Sequence, residues 1–168
     1  MALNRSMILA LAAAFVSMAV VFVSKTFADT IFLVEFGAKY VPHFLVIQAA
    51  GIVAGSAAYG ALLRRVSSPP IDLAILIAFA LSAVAGIWAD RAGDGAVFVV
   101  SLALSVLSAL AFMVMWNAVT SVVSGRRSRR FLPLAGAAAT SGAVVGSFGS
   151  TAVVRVFDMV GLAPLIAI

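Results

Sequence analysis

The arginines of this chain lie outside its apolar runs, and the last three gaps between those runs alternate in sign. Five stretches, residues 7–32, 41–63, 71–88, 96–123 and 133–154, are apolar enough to cross a bilayer, which takes roughly 20 residues at about 1.5 Å each. The gap after the second run carries Arg64 and Arg65, and the gap after the fourth carries Arg126, Arg127, Arg129 and Arg130. The gap after the third, with Asp90, Arg91 and Asp94, is net acidic. Arg5 precedes the first run. This is the positive-inside pattern, and it predicts a cytoplasmic N-terminus with both arginine linkers on the same side. The expected fold is all-α: a polytopic membrane helical bundle, one domain over residues 1–168, with five full transmembrane helices. Residues 159–168 are apolar but too short to cross, and read as an incomplete sixth helix. The expected location is a bacterial cytoplasmic membrane, as an integral multi-pass protein.

Composition agrees. With 64% hydrophobic and 10% charged residues, against about 25% charged in soluble domains, the chain has too little polar surface to cover its apolar surface in water. The net charge of +5 sits in short linkers, where it sets topology and meets anionic lipid rather than nucleic acid. Cysteine is absent, which excludes disulfides, thiolate metal sites and a cysteine nucleophile. The first run, apolar over residues 7–23, is longer than the core of a cleaved signal and is followed by further spans.

Within the spans, polar and small residues fall on faces. Gln48, Gly51, Gly55 and Tyr59 share one side of the second span, and Gly51-x-x-x-Gly55 admits a close neighbour. Pro42 falls just inside the start of that span. Ser67, Ser68, Pro69, Pro70 and Asp72 read as a helix start. The third span is apolar all round and belongs against lipid, with Trp88 at its interface. In the fourth, Ser101, Ser105 and Ser108 share one side and Asn117, Ser121 and Ser124 the other. Asn117 must find hydrogen-bond partners within hydrocarbon, from another helix or from a ligand. The fifth opens with Pro133 and carries Gly136, Gly142, Gly146 and Gly149, a small surface for packing or rocking.

No phosphate-binding glycine loop, zinc ligand set or serine triad is present; His43 is the lone histidine and sits beside Pro42 at a helix entrance. The expectation is therefore a non-enzyme without metal or cofactor. The ionisable residues remain. Lys25 and Asp29 are one helical turn apart and can pair. Inside hydrocarbon they would need a wet cavity or a partner and would be functional candidates; outside it they are ordinary interfacial charges. The arginine linkers serve as topology and headgroup anchors, or as the rim of an anion pathway.

Two stretches carry a resemblance. From Lys25 through Asp29, then the apolar residues to Phe36, the loop at Gly37 and Pro42, the chain resembles the end of the first helix and the following loop in the ATP:ADP antiporter family, nucleotide exchangers distantly related to the major facilitator superfamily. Arg129, Arg130, Phe131, Leu132, Pro133 and Leu134, with Gly136, Gly142 and Gly146, are similar to the entry of that family's fifth helix. The resemblance implies a transporter of two six-helix halves, with substrate between them near the midplane. Lys25 would contact phosphate and Asp29 would be its partner or a gate. Gln48, Tyr59 and Asn117 are further substrate-contact candidates. The loop over residues 60–65 resembles the facilitator loop between helices two and three, without the acidic residue usual there.

The functional expectation is a transporter half-domain for nucleotides or other organic anions, whose second half is a C-terminal segment, a fused module or an oligomer partner. The alternative is a membrane anchor or scaffold for a larger protein. A small multidrug-type exporter fits poorly, since the first span has no acidic residue before Ser24.

Overall fold

A computed structural model describes the backbone of residues 5–86, 88–121 and 128–157, with side chains except at 90, 128–130 and 151–157. The described residues form helices α1 (Arg5–Phe36), α2 (Val41–Leu63), α3 (Ser68–Gly86), a short α4 (Ala89–Ala92), α5 (Asp94–Ser121) and α6 (Ser128–Phe157). Five of these are long and apolar enough to span a membrane. The all-α bundle expected from the apolar runs is present.

Its boundaries follow local chemistry. Nothing in α1 interrupts helix formation until Gly37, whose φ of 76° suits a residue without Cβ and closes the helix through a Gly37 N–H to Leu33 carbonyl bond of 2.9 Å. Gly93 (φ 94°) makes the corresponding break between α4 and α5. Pro42 lies in the first turn of α2, where its missing N–H is an orphan in any case. Pro133 differs from expectation. It does not open α6 but lies inside it, since the helix begins at Ser128. Neighbouring helices make such a proline tolerable in a membrane span. The third span ends at Gly86, short of Trp88, and Arg91 of the following turn stacks over the Trp88 ring at 4.8 Å.

Helix α5 is the hub, packed against α1, α2 and α3, while α6 lies along α1. Direction follows from which residues meet. Gly142, Gly146 and Gly149 of α6 face Phe15, Ala19 and Val23 of α1 in rising order, so those two helices are parallel. Gly51 and Gly55 of α2 face Val106 and then Leu110 of α5, again in parallel. Met7, Ala10 and Ala14 of α1 join Met115 and Val119 of α5 and Phe131 of α6 in one apolar cluster, so α1 and α5 are antiparallel. The starts of α1, α3 and α6 and the ends of α2 and α5 therefore share one end of the bundle. Arg64 and Arg65 are exposed there, and it is called the basic end below.

The opposite, far end is held by rings. Phe32 of α1 stacks on Phe44 of α2 with centroids 4.0 Å apart, and Phe98 of α5 meets both edge-on or tilted. Elsewhere large apolar side chains face outward, including Leu73, Ile77 and Leu81 of α3 and Val46 and Val53 of α2. Lipid, not water, suits such a surface.

Candidate functional site

The hydroxyls of the spans mostly need no partner helix. Thr26, Thr30, Ser56, Thr120 and Ser147 each donate to a carbonyl four residues earlier on their own helix, the usual way to satisfy such groups in hydrocarbon. Ser101, Ser105 and Ser108 are buried together on one side of α5, and Ser108 donates to the Ser105 carbonyl.

One polar group links three helices. The Tyr59 hydroxyl of α2 donates to Asp72 Oδ1 of α3 at 2.8 Å, and Asn117 Nδ2 of α5 donates to the Tyr59 oxygen at 3.0 Å. Tyr59 is buried, Asp72 half-buried and Asn117 exposed on its outer side. The phenol thus serves as donor and acceptor at once. The cluster lies at the basic end, one turn before α2 stops and one turn after α3 starts. Asp72 has more than the expected role of an acidic residue at a helix start: it is the acceptor that ties the α2–α3 hairpin. Its signal was available, since Tyr59 and Asp72 stand four residues on either side of a short turn, and residues equidistant from a hairpin turn lie level.

The second group is the Lys25–Asp29 pair on α1. Lys25 Nζ lies 3.0 Å from Asp29 Oδ2 and 3.1 Å from Oδ1. The two side chains are 37% and 47% exposed. Phe27, between them, sets their depth: its ring approaches the Cβ position of Gly86 at 3.0 Å, so the pair is level with the far end of α3. Helix α1 continues about 10 Å beyond Asp29, and Leu33 and Val34 are exposed on that extension.

The five residues expected to contact substrate therefore do not converge. Tyr59 and Asn117 meet; Lys25 and Asp29 meet each other; Gln48 is buried, with no partner for its Oε1, about 16 Å along α2 from Tyr59. Of the small residues, Gly51 and Gly55 lie against α5 and Gly142 and Gly146 against α1. Arg126, Arg127, Ser124 and residues 159–168 lie outside the described residues, and Arg129 and Arg130 are in the first turn of α6 with side chains outside them. Among the described residues, no group of three His, Cys, Asp or Glu side chains is placed to hold a metal. No family model, curated protein or solved structure matches the chain.

Proposed function

We propose that this chain is the membrane-embedded half of an alternating-access transporter for an organic anion, a nucleotide or another phosphate-bearing solute, completed by a second half. The observation that carries the reading is the Lys25–Asp29 pair. It is half-exposed on the outside of the bundle, with exposed Val20 and Phe22 before it and exposed Leu33 and Val34 after it along α1. Charged side chains among lipid-facing ones are costly, so this face is better served by a second protein half or a wet path. In that setting Lys25 is the phosphate contact and Asp29 the carboxylate that holds it when the path is empty. The small face of α6 against α1 suits rocking of one helix on another. Arg64, Arg65 and the arginines of residues 126–130 raise the local concentration of anions at the basic end. The resemblance to nucleotide exchangers points the same way.

A specific observation favours the second reading, an anchor or scaffold. Tyr59, Asp72 and Asn117 tie three helices together, which a passive bundle needs and a transport path does not. One experiment separates the two: binding of a nucleoside triphosphate analogue to the full natural polypeptide reconstituted in vesicles. Transport predicts measurable binding that falls at least about tenfold in Lys25→Ala, the loss of one charge-assisted contact, while Lys39→Ala is unaffected. Full affinity in Lys25→Ala removes Lys25 from the role. An absence of binding in every arm leaves the anchor.

A further inference from the structure

Two buried side-chain oxygens lack partners among the described residues, Gln48 Oε1 of α2 and Ser105 Oγ of α5. Their residues are 7% and 1% exposed, and a polar group left unmatched at such depth is costly. Both lie near one level of the bundle. Phe44 of α2 meets Phe98 of α5 with centroids 5.9 Å apart, and Gly51 meets Leu102 and Val106, so Gln48, between them, is level with residues 100–102. On α1, Phe32 meets Phe98 at 6.2 Å, and Phe27 stands with Val100 and Leu104 around Gly86. Continued antiparallel, that register sets Lys25 opposite residues 104–105. Lys25, Gln48 and Ser105 therefore come from three helices to within about one helical turn of the same depth.

Lys25 also has the direction and the room to reach them. The buried stripe of α1 steps from Val21 to Ala28 through its position. The α5 side opposite is built of Ser101, Ser105 and Ser108, all buried, where leucines would leave no space for a lysine stem. An ammonium group on a flexible four-carbon stem carries three N–H donors. Gln48 Oε1 accepts only, so a donor is what it lacks. Ser105 can turn its hydroxyl to a carbonyl of its own helix, as the other span hydroxyls do, but that uses its proton and leaves its lone pairs as acceptors. Between Arg5 and Lys39, Lys25 is the only lysine or arginine in the chain.

We propose that Lys25 has two positions: an outward one on Asp29, and an inward one in which its ammonium group donates to Gln48 Oε1 and Ser105 Oγ. Gln48 and Ser105 are then positioning residues for the charge. The two positions differ in electrostatics. Outward, the carboxylate cancels the ammonium charge. Inward, neutral acceptors hold the ammonium and leave its charge and its third N–H for another group. Under the transport reading, on which this consequence alone rests, the inward position receives the anion and the outward one is the resting state.

Lys25 and Lys39 are the only lysines, so Lys39→Arg in the full chain leaves one lysine, whose isotope-labelled side chain is read by NMR in micelles without nucleotide. The expected result is two sets of nuclear Overhauser contacts from the Lys25 ε-protons, one to Asp29 and one to the Gln48 amide and the Ser105 β-protons. In Asp29→Asn the second set grows at least about twofold, the shift that loss of a one-turn ion pair produces. In Gln48→Leu with Ser105→Ala the second set disappears and the first remains. Three outcomes overturn the proposal. In the first, contacts run to residue 29 alone, in the natural chain and in Asp29→Asn. In the second, the Gln48 amide contacts bound water in place of Lys25, so water is its partner. In the third, contacts to residues 48 and 105 persist in the apolar double variant, so the lysine stem packs there without hydrogen bonding. Anion affinity that falls in Lys25→Ala while only outward contacts are seen refutes the second position and keeps the transport reading.

Discussion

Gly142 and Gly146 on α6 and Gly51 and Gly55 on α2 have the same four-residue spacing and face helices running parallel to their own, yet they admit different neighbours. A Cβ on Gly142 would collide with the carbonyl oxygen of Phe15 and come within 2.8 Å of its carbonyl carbon; on Gly146 it would meet the Ala19 carbonyl oxygen and lie 2.9 Å from its Cα. Those are backbone atoms, and they cannot turn aside. A Cβ on Gly51 would meet Val106 Cγ2 at 2.9 Å, and on Gly55 Val106 Cγ1 at 3.3 Å. Those are side-chain methyls. The motif alone therefore does not say how close two helices come: α6 and α1 touch backbone to backbone, whereas α2 and α5 are separated by a layer of valine and leucine. The α2 seat has a second attachment that the α6 seat lacks among the described residues, the Tyr59 cluster at its basic end.

The largest expected effect follows from the first contact. Gly142→Ala pushes α6 off α1 along its length, and overpacking of this kind costs typically 1–3 kcal/mol. With a backbone obstacle the upper part of that range is expected, about 3 kcal/mol, measured as a fall in unfolding free energy in mixed micelles. No truncation of a neighbouring side chain restores it. Gly51→Ala is expected to cost about 1 kcal/mol, because the stiff χ1 of Val106 yields only partly. Here Val106→Ala in the same chain restores most of the loss. If Gly51→Ala with Val106→Ala is no better than Gly51→Ala, the two contacts do not differ in kind and the comparison fails.

The polar cluster gives the next smaller effect. Tyr59→Phe keeps the ring and removes both interhelical hydrogen bonds. Such bonds average about 0.6 kcal/mol in membrane proteins and reach about 1.7, so a loss of about 1 kcal/mol is expected. The location sharpens the comparison more than the size does. Amide exchange should rise near the basic ends of α2 and α3, and the α1–α6 contact should be untouched. Protection lost equally from all five helices would mean that the cluster does not belong to the α2 seat.

Much of this was legible beforehand, and the parts that were not share a cause. The apolar runs need only the helical period and the thickness of hydrocarbon, and five long apolar helices lie on them; the polar faces of the second and fourth spans and both glycine pairs are read from the same period. Three-helix convergence is different. Asp72 read as a helix-start residue because that role is local, whereas its bond to Tyr59 depends on hairpin geometry and on Asn117 arriving from a third helix. Likewise Gln48 and Tyr59 share a face of α2, but sharing a face does not fix a common depth, and about 16 Å separates them.

The smallest expected effect on the bundle belongs to Lys25 and Asp29. Along α1 the buried positions run Met7, Ala10, Ala14, Met18, Val21, Ala28 and Phe32, and Lys25 occupies the step between Val21 and Ala28 where another buried residue would fall. Its ammonium group nevertheless turns to Asp29 on the same helix, so no other helix depends on the pair. One-turn ion pairs contribute about 0.3–0.5 kcal/mol. Lys25→Gln combined with Asp29→Asn should therefore change the unfolding free energy by less than about 0.5 kcal/mol, well below Gly51→Ala. Lys25→Gln alone should cost more than the double replacement, because it leaves Asp29 without its cation among exposed apolar side chains. A double replacement as damaging as Gly142→Ala would make the pair a structural element of the α1 contacts and would remove the reason to read it as a site. A double replacement that is neutral for folding and abolishes anion binding would place its role in function alone.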